Sequence, residues 1–123
     1  IYAEKGQIYG LVGSNGCGKT TILKHIMNIY RQDEGNIAFD GENVYEDSEI
    51  LKDFYYVQDS LFFPYQYTLN KLFHYEKLLY KNMSDEKFEY LIKYFNMDKN
   101  KVLNKMSKGQ KKQAAFILSI AAR

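Results

Sequence analysis

One run of eight residues constrains this chain more than any other: Gly13-Ser14-Asn15-Gly16-Cys17-Gly18-Lys19-Thr20, which satisfies the pattern G-x-x-x-x-G-K-[ST] in full. Its three glycines let the backbone curl until successive N–H groups point inward and form a nest for an anion. Upstream, Gln7 to Val12 reads as a short buried strand; downstream, Lys19 to Tyr30 has helical spacing, with Ile22, Leu23, Ile26 and Ile29 on one face. A strand, a glycine loop and a helix in that order set the positive end of a helix against phosphate. The motif therefore points to a nucleoside triphosphate held by Gly13, Ser14, Asn15, Gly16, Cys17, Gly18, Lys19, Thr20 and Thr21. Lys19 reaches the β- and γ-phosphates, and the Thr20 hydroxyl is a candidate Mg²⁺ ligand.

The rest of the composition mostly excludes. At 123 residues the chain is one domain or part of one, and no apolar stretch reaches the ~18 residues that span a membrane. It lacks an initiating Met and a signal peptide, and is expected to begin inside a longer protein. A net charge of +2 gives no case for nucleic acid. The lone Cys17 cannot form an internal disulfide, which fits a reducing compartment. With no histidine near it in sequence, Cys17 reads as a passive loop thiol.

Along the chain, Asn36 to Phe39 is a predicted strand, and Asp40-Gly41 is a hairpin signal. Residues 42–53 are acidic and read as loop with one helical turn; Phe54 to Val57 reads as a strand ending at Gln58. An aromatic, proline-broken segment (Phe62 to Tyr67) precedes a helix carrying Leu69, Leu72, Phe73, Leu79 and Tyr80. Ser84 is a predicted N-cap, followed by the stripe Phe88, Leu91, Ile92, Phe95. A last helix is expected to start near Lys108 and to bury Ala114, Ile117, Leu118 and Ala121. This divides the chain into a loop-bearing lobe (1–59), a helical part (60–106) and a final segment (107–123).

Met106-Ser107-Lys108-Gly109-Gln110 resembles the L-S-G-G-Q signature of the ATP-binding-cassette (ABC) ATPases. The phosphate loop, a strand ending in Gln58 (the Q-loop of that family) and this signature fall in the family's order and cover almost the whole chain. The resemblance implies an α/β P-loop NTPase core with a helical subdomain, and ATP and Mg²⁺ as ligand and cofactor. Gln58 would join Thr20 in the Mg²⁺ shell. Ser107, Lys108, Gly109 and Gln110 would face the γ-phosphate of a second ATPase subunit in a head-to-tail sandwich. Membrane subunits would dock around Gln58 to Tyr67, placing the protein in the cytoplasm against the inner face of the membrane; packing of those aromatics within the helical subdomain is an equal alternative.

Departures are Lys108 for a glycine, Met106 for leucine, and Gln113 at a commonly basic position. The resemblance places the Walker B aspartate, the catalytic glutamate and the switch histidine beyond Arg123, so no catalytic residue is assigned. The adenine-stacking aromatic falls before residue 1. Asp40 and Asp59 precede the signature, the wrong order for Walker B, and His25 and His74 read as ordinary helix residues. The 123 residues alone are expected to lack hydrolysis. Alternatives are an ABC-type ATPase of DNA repair or translation, which the short stretch between Gln58 and Ser107 disfavours, and a small-molecule kinase, which the presence of only Arg31 and Arg123 disfavours.

Overall fold

The structure is a computed structural model that describes residues 1–45, 48–59 and 63–123. It divides into two compact units, Ile1–Leu51 and Lys52–Arg123.

In the first unit, helix α1 (Lys19–Ile26) follows the glycine loop. It stops four residues before the predicted Tyr30 because Asn28 adopts φ 53°, a left-handed turn that asparagine tolerates. The Asn28 and Ile29 amides donate to the carbonyls of His25 (3.0 Å) and Lys24 (2.9 Å), satisfying the last turn. The predicted hairpin forms: β1 (Ala38–Phe39) pairs antiparallel with β2 (Glu42–Asn43), Ala38 opposite Asn43. Its turn residues Asp40 (φ 49°) and Gly41 (φ 87°) are both left-handed, as this tight turn requires. Val44 is fully buried beyond it, and a 3-10 turn at Ser48–Asp53 supplies the helical turn expected in the acidic segment. Glu46 and Asp47 of that segment lie outside the described residues.

Two predicted strands differ from the structure. Gln7 to Val12 carries no ladder, with Val12 94% exposed, and Phe54 to Val57 is irregular. Apolar, β-favouring sequence makes a strand only where a neighbour pairs its N–H and C=O groups. Among the described residues the only ladder of named strands is β1–β2.

The second unit is helical. Its helices are α2 (Leu69–Glu76), α3 (Asp85–Tyr94) and α4 (Lys108–Ala121). α2 ends before the predicted Leu79, which is left exposed. Thr68 and Ser84 cap α2 and α3, each side chain accepting from the amide three residues on. Phe73 and Phe88 stack at 3.9 Å and 13°, joining α2 to α3. Phe88, Leu91 and Ile92 are buried against a core that includes Ala114, Ile117, Leu118 and Ala121 of α4, as their spacing predicts; each large apolar side chain so buried contributes about 1.5–3 kcal/mol. The Ser84 amide donates to the Ala121 carbonyl at 2.7 Å, so the start of α3 closes the end of α4. Within the aromatic segment Phe63 is buried and Tyr65 is 82% exposed, while Phe62 lies outside the described residues.

Candidate functional site

The glycine loop is built around its own lysine. Gly16 (φ 84°) and Gly18 (φ 94°) turn the chain through left-handed conformations that a side chain would strain. A Cβ placed on Gly13 would lie 2.5 Å from the Cys17 sulfur, so a side chain there must displace the thiol. The Lys19 side chain folds back across the loop: Nζ donates to the carbonyl oxygens of Gly13 and Ser14, both at 2.7 Å, and stands 3.7 Å from Cys17 Sγ. Thr20 and Thr21 follow on the first turn of α1, both exposed.

The start of α1 differs from the starts of the other α-helices. Thr68, Ser84 and Ser107 cap α2, α3 and α4 with side-chain oxygens, whereas Gly18 gives α1 no side-chain cap. The first amides of an α-helix have no acceptor within the helix, so the α1 end presents donors toward the loop with the positive end of the helix dipole behind them.

In the second unit, Ser107 begins α4 with a reciprocal capping box. Its Oγ accepts from the Gln110 amide at 3.2 Å, and Gln110 Oε1 accepts from the Ser107 amide at 3.1 Å. Met106 is buried beneath, and Ser107, Lys108, Gly109 and Gln110 are all exposed. The cap uses Ser107 Oγ as an acceptor and leaves its hydroxyl proton to be donated elsewhere.

Gln58 is exposed at the end of the irregular segment 54–58. Side chains on either side of it make contacts that no local pattern announces. The Tyr55 hydroxyl donates to Glu76 Oε2 at 2.8 Å, and Lys112 Nζ of α4 donates to Asp59 Oδ1 at 2.9 Å. Burial pushes the Tyr55 phenol far above its ordinary range, and the Glu76 charge pushes it further. Burial likewise raises the Glu76 carboxyl, partly offset by the Tyr55 hydrogen bond. The Lys112 hydrogen bond and charge, with Lys108 beyond, hold Asp59 below its usual range. In sequence Glu76 reads as one more polar helix residue, so only the fold reveals its contact. His25 and His74 serve local structure, each Nδ1–H donating to a carbonyl, of Tyr30 (2.9 Å) and of Asn70 (2.8 Å).

The glycine loop with Thr20 thus belongs to the first unit, and Gln58 with Ser107 to Gln110 belongs to the second. No helix of the described residues is long and apolar enough to cross a membrane.

The sequence profile of the ABC transporter family matches residues 1–123. The ABC transporter ATP-binding protein YtrB of Bacillus subtilis (strain 168) is 33% identical over 120 residues, covering 98% of this chain and 41% of that protein. The cytochrome c biogenesis ATP-binding export protein CcmA of Reclinomonas americana is 32% identical over 116 residues, covering 89% of this chain and 51% of that protein. The chain spans about half the length of these curated relatives. A solved ATP-binding subunit of an ABC transporter matches with a TM-score of 0.78 over 90% of this chain and 49% of its own, at 22% identity, which shows a shared fold. With the profile covering every residue, the chain belongs to the ABC transporter family.

Proposed function

We propose that this chain is the ATP-holding part of an ABC transporter's ATP-binding subunit, with residues 13–21 around the phosphates. The observation that carries this reading is the Lys19 ammonium turned into a glycine loop at the one α-helix start among the described residues that no side chain caps. Two carbonyls at 2.7 Å hold that ammonium in place. Phosphate oxygens bind an ammonium about twice as strongly as neutral acceptors do, so they replace those carbonyls. The residues of the loop fit ATP with Mg²⁺: Lys19 and the loop amides would take the β- and γ-phosphates, while the Thr20 hydroxyl would offer an oxygen ligand to the metal. Mg²⁺ supplies neutralisation of charge on the β- and γ-oxygens.

Ser107, Lys108, Gly109 and Gln110 complete the site of a second ATP-binding subunit, arranged head to tail. The Ser107 hydroxyl proton and the Gly109 amide are the donors offered to that γ-phosphate. Lys108 adds a cation where the family's signature has glycine. Membrane subunits contact the segment around Gln58 to Tyr67, and the protein works in the cytoplasm at the inner face of the membrane. In the intact protein, closure of the dimer and in-line attack of water on the γ-phosphate drive transport.

Titration of the chain with MgATP, followed by amide NMR shifts, tests this reading. Saturable shifts at Gly13 to Thr21 that Lys19→Ala abolishes are expected. Shifts that survive Lys19→Ala unchanged overturn it.

A further inference from the structure

The first unit holds a pocket to which the glycine loop contributes no residue. It lies between α1 and the bend that leads into β1, with a volume of about 430 Å³, within the range of small-molecule sites. Ile22 and Ile37 give it an apolar wall, and His25, Gln32, Asp33 and Glu34 bring polar groups to it.

These polar groups share a surplus of acceptors. The Tyr30 carbonyl can only accept, so its 2.9 Å contact fixes a proton on His25 Nδ1 and leaves Nε2 an acceptor in the neutral ring. Gln32 is fixed by the same reasoning. Its Nε2 donates to the Gly35 carbonyl at 3.3 Å, and turning the amide over would set two oxygens against each other. Gln32 Oε1 is therefore a true acceptor, shut off from solvent and without a partner. A buried carbonyl left unpaired is costly, and folded proteins keep few of them. Asp33 and Glu34 are exposed, and among the described residues neither forms an ion pair. No lysine or arginine lines the pocket, in a chain that carries 17 of them.

An acceptor-rich, negatively charged pocket with an apolar wall complements a cation that carries N–H donors on a hydrocarbon body. A bare metal ion suits it poorly, because among the described residues no three His, Cys, Asp or Glu side chains stand together as a metal site. We propose that this pocket binds a small organic ammonium ion. Its charge is met by Asp33 and Glu34, its N–H groups supply the donor that Gln32 Oε1 lacks, and its methylenes lie against Ile22 and Ile37. The site shares no residue with the phosphate loop, so it stands whether or not the loop holds ATP.

The probe is putrescine, a short diamine that is doubly protonated at neutral pH, with butanediol as its uncharged counterpart. Amide NMR shifts of the 123-residue chain are followed at ~0.15 M salt, where diffuse attraction between exposed charges is screened. Saturable shifts confined to residues 22–37 are expected, half complete near ~1 mM. Butanediol should produce none of them. Replacing both carboxylates together, Asp33→Asn with Glu34→Gln, should weaken binding about tenfold. Both are surface positions, so that double variant keeps the fold. Gln32→Met preserves side-chain length but removes the unpaired acceptor, and should weaken binding about threefold to tenfold. Shifts that stay linear in putrescine through ~10 mM, or equal shifts from butanediol or from Mg²⁺ alone, overturn the proposal. Undiminished binding in the double carboxylate variant or in Gln32→Met overturns it too. So do shifts centred outside residues 22–37, since the amine then sits on other carboxylates of the surface.

Discussion

The Lys19 ammonium lies 2.7 Å from the Gly13 carbonyl oxygen, so the first residue of α1 closes the loop that precedes it. This contact ties the charge to the loop, and through the loop to whatever anion it holds. Lys19→Ala should lower ATP affinity by about 10- to 100-fold, the range of a lost hydrogen bond to a charged group. The lysine is half-buried but lies outside the core, so thermal unfolding should shift by only a degree or two in the absence of ATP. Calorimetric titration and thermal melts of the same samples measure the two effects.

Gly13 and Cys17 are coupled by space. A Cβ on Gly13 meets Cys17 Sγ at 2.5 Å but Cys17 Cβ only at 3.9 Å. Gly13→Ala should therefore damage ATP binding, and adding Cys17→Ala, which removes the sulfur alone, should restore most of it. A double-mutant cycle gives the coupling; additive losses sink the steric account. Alkylating the exposed Cys17 places bulk at the same point and should weaken ATP binding too.

What could be read in advance follows a physical line. The glycine loop, the Asp40-Gly41 turn, the Ser84 and Ser107 caps and the buried faces of α3 and α4 are encoded locally, and the structure carries them. The Gln7 to Val12 and Phe54 to Val57 strands needed ladder partners, which no local pattern supplies. The end of α1 was legible in principle: Asn28 is a residue that tolerates the left-handed stop, as Asn96 does after α3. The Tyr55–Glu76 contact spans 21 residues and joins two unremarkable positions, so nothing in the sequence points to it. Of the candidate site, residue types and order were readable; the cap geometry and the contacts around Gln58 were not.

Ser107 and Gly109 separate stability from function at the signature. Ser107→Ala removes a capping oxygen and should cost about 1 kcal/mol of stability. A Cβ on Gly109 meets nothing closer than Ser107 Oγ at 4.0 Å. Gly109→Ala should therefore leave the fold intact or stabilise α4 by up to about 1 kcal/mol. If the Gly109 region faces a second subunit's γ-phosphate, the same change impairs ATP-driven dimerisation. Urea unfolding and sedimentation with MgATP read the two consequences independently.

Glu76 sets a pH dependence of definite sign. Its carboxyl is raised above the ordinary value of 4.5, chiefly by burial. The folded chain thus binds that proton more tightly than the unfolded chain does. This contribution to stability is fully present below pH ~4.5, and it declines as pH rises through the raised native value. Asp59 and Asp85, both lowered by lysine partners, contribute in the opposite sense at lower pH. The comparison that isolates Glu76 is therefore Glu76→Gln against wild type, not the wild-type curve alone. The glutamine cannot ionise but still accepts from the Tyr55 hydroxyl. Its stability relative to wild type should rise as pH climbs from ~4.5 through the raised native value and level off above it. A difference in unfolding free energy that stays flat across this window shows that the carboxylate at the end of α2 is not titrating in a buried site.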